Sequence, residues 1–383
     1  MNCLGIDTQT GAPTSVEFDQ VIRATEPLLS PPPDLPFLAP GFIDLQVNGF
    51  AGVDYNNPAS SHEAIRESLR AMFRTGVTRC LPTIITGPPD EMADALRNLA
   101  EAREAFSEGL TMEGFHVEGP HISPDDGPRG AHPAEWVRPP DLEEFRRWQD
   151  AAQGHVRLVT VSPEWPGAPA YIEALVRQGV VASIGHTKAT SSQIDDAVHA
   201  GATKSTHLGN GAHSLLPRHP NYIWDQLADD RLSAGFIVDG IHLPAAFLKV
   251  AMRAKGVERS VLVTDAVAPA GCEPGPYRIG RIDVELHAGG DVRVRGGTRL
   301  AGSALLMHHG VENLMKLAGL TLQEALTMAT RNPARVGRIA NRQRGLAAGE
   351  RADLVAFRFD AKMKRIEIER TWLSGELVYS RKN

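Results

Sequence analysis

Four apolar runs in this sequence each end on a side chain that can hold a cation or move a proton. GFHVEGPH delivers Glu118, VVASIGHT delivers His186, ATKSTHLGN delivers His207 and SVLVTDA delivers Asp265. A carboxylate at the end of a buried strand is costly unless it is paired or bound to a cation. Two imidazoles and a carboxylate form a ligand set suited to zinc and other divalent first-row metals. Glu118, His186 and His207 are therefore candidate metal ligands, and metal-dependent hydrolysis is the chemistry they suit. Asp265 could take a proton from an attacking water and pass it to a leaving group. Singly, each of these residues reads equally well as a hydrogen-bonded core or turn residue. Their common position after apolar strands carries the signal. After Asp265 the chain continues as AVAPAG, a loop rather than a helix, so a simple helix cap fits it poorly.

Further candidates lie in the connecting segments. His132 sits in RGAHP and His242 in DGIHLP, and each reads as a substrate contact or as a surface residue. Asp239 and Gly240 are expected to shape the turn before His242. The stretch HLGNGAHSLLPRHPN holds Asn210, Gly211, His213, Arg218 and His219. Glycines let backbone N–H groups approach an anion, and arginine can grip phosphate with two parallel bonds. The stretch is not a Walker loop, and a flexible loop is its other reading. His62, His155, His199 and His287 stand outside such contexts and are expected at the solvated surface.

The elements that must position these residues alternate in type. PPPDLP at residues 31–36 fits neither helix nor central strand and marks a boundary. Beyond it, strand-length runs are expected at 41–46, 80–85, 115–118, 156–161, 180–184, up to 207, 234–238 and 260–264. Helix-period segments follow most of them, at 60–74 (capped by Ser60 with Glu63, and closed by Gly76), 90–106, 141–153, 169–178, 191–200 and 244–255. Alternation of this kind predicts parallel βα units. Eight strands close naturally into a (β/α)₈ barrel, whose active site lies at the C-terminal strand ends. Residues 277–295 read as an inserted β-hairpin, followed by helices at 303–318 and 321–331. Strands at 353–357, 366–370 and 376–379 are expected to join residues 1–40 in a small β-sandwich domain. The expected division is thus 1–40 and 336–383 around a barrel at 41–335.

At 383 residues the chain can bury a large core. A net charge of -6 gives no general attraction to nucleic acid or anionic membranes, so an anionic substrate would need a local cation cluster. Residues 1–11 are neither basic nor apolar enough for a signal peptide, and no apolar run approaches the roughly 20 residues of a membrane span. Cys3, Cys80 and Cys272 are too sparse for a disulfide framework, which suits the reduced cytoplasm.

Taken together, HVEGPH, RGAHPAEWVR, SIGHT, STHLGN, DGIHL, VTDAVAPAG and LAGSALLM resemble the N-acetylglucosamine-6-phosphate deacetylases, a branch of the amidohydrolase superfamily. The resemblance runs from PGFIDLQVNG at Pro40 to LAAGERADLVAF ending at Phe357. It implies a distorted (β/α)₈ barrel with a small β-domain from both termini. It also implies Glu118, His186 and His207 as ligands of one divalent metal per subunit, zinc foremost, with Fe²⁺, Mn²⁺ or Co²⁺ as alternatives. Asp265 becomes the catalytic acid/base, and His132 and His242 become substrate contacts. Asn210, Gly211 and Arg218 match sugar-phosphate positions. Because the family's arginine is often presented to a neighbouring subunit, a homodimer is implied. The expected reaction is removal of the N-acetyl group from an amino-sugar phosphate, with acetate released.

Two departures stand out. Where many amidohydrolases carry His-x-His after the first strand, this chain has Gln46-Val47-Asn48, so a second metal loses its strongest anchors. The segment GNGAHSLL, 209–216, lacks the aromatic residue common there and leaves the sugar or phosphate preference open. The competing readings are an amidohydrolase for another N-acetylhexosamine, an N-acyl amino acid or a cyclic amide, and a barrel that binds sugar without turnover. The intact set of four chemistry-bearing residues weighs against the last.

Overall fold

Phe115 and Val117 alternate with His116 and Glu118 along one four-residue strand, and all four are buried. A strand buried on both faces needs a layer on each side, as in a parallel sheet wrapped by helices. The computed structural model, which describes residues 1–381, provides both layers. Eight strands form one sheet, numbered here in chain order: β1 (Phe42–Val47), β2 (Val77–Ile85), β3 (Phe115–Glu118), β4 (Val156–Val161), β5 (Val181–Ile184), β6 (Lys204–Ser205), β7 (Ser233–Ile237) and β8 (Ser260–Val263). Each pairs in parallel with its sequence neighbour. The two ends of the sheet meet through a parallel bridge between Val47 and Ala266 and through Asp265 N–H donating to Gln46 C=O at 3.0 Å. This is a distorted (β/α)₈ barrel. The distortion is visible in β6, which pairs over two residues only, and in register shifts between β1 and β2 and between β3 and β4.

The helices bury the stripe their sequences present. In His62–Phe73 the buried residues include Ile65, Leu69, Met72 and Phe73. Its cap is Ser61, which accepts from Ala64 N–H, while the expected cap, Ser60, donates to Asp54 C=O instead. With two adjacent serines, only the path of the entering chain decides which one caps. A full capping box does form at Thr190 and Gln193, ahead of Ser191–His199.

Three segments differ from the sequence expectation. The insertion is a three-stranded antiparallel meander, Gly275–Ile279, Ile282–Leu286 and Val292–Val294, because Gly289 and Gly290 add a second turn after the one at Gly280. The helix expected from 303 begins at Met307, since Ser303 stays extended and bridges to Ala266. The helix expected at 321–331 is two, Leu322–Ala329 and Arg331–Val336.

Strands from both ends of the chain form a separate seven-stranded sheet. Across it run Glu376–Ser380, Arg365–Leu373, Leu354–Asp360, Phe37–Pro40, Asn2–Asp7, Pro13–Phe18 and Ile22–Pro27. Phe18 and Trp372 lie on strands four places apart, about 19 Å in a flat sheet, yet their ring centroids are 6.1 Å apart. The sheet therefore curls over its own core of Val16, Leu38, Leu354 and Ala356.

Candidate metal and acid-base site

Glu118 ends β3, and the loops leaving β5, β6 and β8 begin within three residues at His186, His207 and Asp265. All four residues are buried at the same end of the barrel and line one cavity of about 600 Å³. His186, His207 and Asp265 have left-handed backbone conformations, with φ of 47°, 24° and 50°. Such φ values are uncommon outside glycine and are held only where surrounding structure imposes them. The strands thus end in sharp reversals that turn these side chains inward.

Glu118 Oε1, His186 Nε2 and His207 Nε2 converge on one point. The separations are 2.9 Å from His207 to Glu118, 3.1 Å between the imidazoles and 3.5 Å from His186 to Glu118. A tetrahedral ion with ligands at about 2.0–2.1 Å places neighbouring ligand atoms about 3.3–3.4 Å apart. His186 Nδ1 lies 2.7 Å from the carbonyl of Pro128, an acceptor only, so Nδ1 carries the proton and Nε2 keeps its lone pair. A lone pair and a carboxylate facing one another within 3.5 Å suit a cation between them. The residues present fit a divalent metal. Burial works to raise the Glu118 carboxyl; without a metal, protonated His207 and His186 beside it hold it well below the usual carboxylate range, and a bound cation fills the same role.

Gln46 and Asn48 have a positive role in this geometry. Carboxylate oxygens only accept, so the amide nitrogens face them. Gln46 Nε2 donates to Glu118 Oε1 at 2.7 Å and to Asp265 Oδ1 at 3.2 Å, and Asn48 Nδ2 donates to Asp265 Oδ1 at 2.7 Å. The Gln-x-Asn departure thus fills the end of β1 with N–H donors aimed at two carboxylates. Asp265 is raised to about 6 by burial and by the charge of Glu118.

His132 is buried, with its ring centroid 4.5 Å from that of His186 and its Nδ1 2.8 Å from Thr86 Oγ1. Burial, with His186 beside it, lowers this imidazole to about 3, so it is neutral at pH 7. His242 also lines the cavity, and its Nδ1 is 2.6 Å from Asp239 Oδ2. Asp239 additionally accepts from the N–H groups of Ile241 and His242, which shapes the turn as expected from its type. His121, directly after the Glu118 motif, points away and packs between Trp148 and Tyr171.

Asn210 and Gly211 are on the cavity wall. Gly211 has φ +56°, and a Cβ there would fall 2.6 Å from His186 Nδ1. This glycine is needed for the loop to cross the imidazole. Arg218 is not brought to the cavity. It is exposed, four residues beyond the cavity-lining Ser214. Thr86, Asp239 and Arg299 contribute to the site without having been singled out for it from the sequence. Thr86 and Asp239 do so through hydrogen bonds to histidines, and Arg299 arrives on the insertion. Nothing in their local sequence distinguishes them from ordinary turn residues.

Comparison with known proteins follows the same direction. The sequence profile of the amidohydrolase family matches residues 37–378. N-acetylglucosamine-6-phosphate deacetylase of Bacillus subtilis is 34% identical over 335 residues, covering 85% of this chain and 82% of that protein. N-acetylgalactosamine-6-phosphate deacetylase of Escherichia coli is 34% identical, covering 94% of this chain and 93% of that protein. Among solved structures, a mutant N-acetyl-D-glucosamine-6-phosphate deacetylase of Mycobacterium smegmatis in complex with N-acetyl-D-glucosamine-6-phosphate is similar at 31% identity. It has a TM-score of 0.89 and covers 99% of each chain.

Proposed function

The chain belongs to the amidohydrolase family, and from that premise we propose that it hydrolyses the acetamide of N-acetylglucosamine 6-phosphate, releasing acetate and glucosamine 6-phosphate. The observation that carries this reading is the convergence of Glu118, His186 and His207 with Asp265 in the same cavity. In this reading Glu118, His186 and His207 hold one divalent cation, zinc foremost, with Fe²⁺, Mn²⁺ and Co²⁺ as alternatives. The cation supplies Lewis acidity, which acidifies water and polarises an amide carbonyl.

Asp265 accepts the proton of the attacking water and then delivers it to the departing amine nitrogen. Its Oδ1 is occupied by Gln46 and Asn48, which leaves Oδ2 for the proton. Burial and the charge of Glu118 push this carboxyl up, and a cation held beside it pulls the other way, which keeps it ionised and able to accept a proton at neutral pH. His132, kept neutral and accepting from Thr86 through Nδ1, donates from Nε2 to the oxygen on which negative charge develops. A donor of this kind is typically worth about 3 kcal/mol. His242, with Nδ1–H given to Asp239, accepts a sugar hydroxyl at Nε2. Asn210, the backbone at Gly211, and Arg218 bind the phosphate, Arg218 from a second copy of the chain in a homodimer. The division into residues 1–40 and 336–383 around the barrel at 41–335 belongs to the same reading, as does a cytoplasmic location.

A second substrate is favoured by a specific observation. Relatives bearing the name N-acetylgalactosamine-6-phosphate deacetylase are as similar, at 34% and 35% identity, as those bearing the glucosamine name. Acetate release from N-acetylglucosamine and N-acetylgalactosamine, each with and without a 6-phosphate, tests the reading. Fastest turnover of N-acetylglucosamine 6-phosphate is expected; equal turnover of N-acetyl amino acids, added to the same panel, would overturn it.

A further inference from the structure

The cavity wall carries both acids of the site, Glu118 and Asp265, and among the described residues Arg299 is the only arginine or lysine on it. The segment that bears Arg299 runs outward from the chemistry. Ser303 N–H donates to Asp265 C=O at 2.9 Å, and Gly302, Ala301 and Leu300 line the cavity between that point and Arg299. Ser303 and Ala301 are buried, Leu300 is half-buried and Arg299 is exposed, so Arg299 stands at the solvent-facing rim of the cavity. Its guanidinium is held, not loose. Nη1 donates to Gly130 C=O at 2.8 Å and Nη2 to Asp126 Oδ1 at 2.7 Å. Asp126 is shared with Arg129, whose Nη2 lies 3.0 Å away, so one carboxylate serves two guanidinium groups. A guanidinium has five N–H donors in a fixed fork. The two contacts above leave others free on a side chain that is 42% exposed.

Resting on the substrate reading above, we propose that Arg299 is a specificity-determining residue that grips the 6-phosphate from within the same chain. A dianion brought into a cavity with two carboxylates needs a fixed cation, and Arg299 at the rim is the one this chain's wall supplies. Its tie to Gly130, two residues from His132, fixes the guanidinium relative to the acetamide end. The ordinary alternative is a surface ion pair that merely fastens the insertion to the loop at Asp126, and such a pair contributes little.

The test compares acetate release by wild type, Arg299→Lys and Arg299→Ala on N-acetylglucosamine 6-phosphate and on N-acetylglucosamine. Inorganic phosphate serves as a competing anion. Loss of a charge-assisted bond predicts that Arg299→Ala lowers kcat/KM on the phosphorylated sugar by about ten- to a hundredfold, chiefly through KM. The slow reaction on the unphosphorylated sugar stays within about twofold, and inhibition by inorganic phosphate weakens in parallel. Arg299→Lys, keeping charge but losing the fork, falls between. Equal loss on both sugars would assign Arg299 a structural role. A wild-type preference for the phosphorylated sugar that survives Arg299→Ala would overturn this inference alone. If Arg299→Ala fails to fold, Arg299→Lys and Arg299→Gln are judged on the same two ratios. A wild-type enzyme without that preference would overturn the substrate reading itself, and this inference with it.

Discussion

In the proposed mechanism Asp265 is the residue on which the chemistry turns, and its hydrogen bonds say how. Gln46 and Asn48 hold one carboxylate oxygen, so Asp265→Asn should preserve the packing while removing the proton acceptor. Turnover should fall by orders of magnitude with metal content unchanged; substantial residual activity would take Asp265 out of the mechanism. The pH profile tests the same assignment. Burial and Glu118 raise the carboxyl from 3.8 to about 6, while a cation held beside it pulls the other way. The base must be ionised, so kcat/KM should fall on the acid side with a limb at or below pH 6, and Asp265→Asn should lose that limb. The amides also bear on the proposed count of one metal per chain. Each turns an N–H, the positive end of its dipole, towards the carboxylates, where a second cation would have to sit. Dialysed protein should therefore hold one equivalent of divalent metal by elemental analysis, and two equivalents would contradict the assignment. Gln46→His with Asn48→His is expected to recruit the second.

At the scale of elements, the barrel closes between β1 and the end of β8, and Asp44 is the clamp. Its carboxylate accepts from the N–H groups of Gln46 and Thr264 and from the Thr264 hydroxyl. Burial raises this carboxyl from 3.8 to about 7, only partly offset by those bonds. The folded pKa lies above the unfolded one, so the native state binds the proton more tightly. The group's contribution to stability is full below about pH 4 and is lost as pH rises towards 7. Asp44→Asn keeps the shape, with its amide donating to the Thr264 hydroxyl, and should flatten that slope. Urea midpoints at pH 5 and pH 8 should differ less in the variant than in wild type, and equal differences would remove Asp44 from the account. The same elements show what a sequence can reveal. Alternating periods expose strands and helices at the right places because burial on two faces, or on one stripe, leaves a repeat in composition. That repeat led to Glu118, His186, His207 and Asp265. The left-handed φ at three of these residues left no usable trace, since histidine and aspartate are enriched there yet adopt other conformations far more often. Nor did the choice of Ser61 over Ser60, the second turn of the insertion or the bond from Thr86 to His132. Each depends on partners tens of residues away or on the direction from which the chain arrives.

Over the whole molecule, the question is how a phosphate is held when Arg218 lies outside its own chain's cavity. The loop that carries Arg218 is exposed, and Leu215 at 88% and Trp224 at 47% exposure flank it. A subunit contact in the proposed homodimer covers them. In the proposed homodimer each chain lends Arg218 to the other's site, and two-fold symmetry makes the exchange mutual. Arg218→Ala should then lower kcat/KM on N-acetylglucosamine 6-phosphate by about ten- to a hundredfold while sparing the unphosphorylated sugar. Complementation separates exchange from contact within one chain. Arg218→Ala and Asp265→Asn are each defective alone, but a mixed dimer contains one site with an intact Asp265 in its own chain and an intact Arg218 from its partner. Co-expressed in equal amounts, the two variants should pair at random, so about a quarter of all sites become fully competent. Activity near that level would establish the exchange. Activity no greater than the mean of the two variants would place Arg218 in its own chain's site or outside catalysis altogether. In that outcome the phosphate would be left to residues such as Arg299 that already stand on the cavity wall.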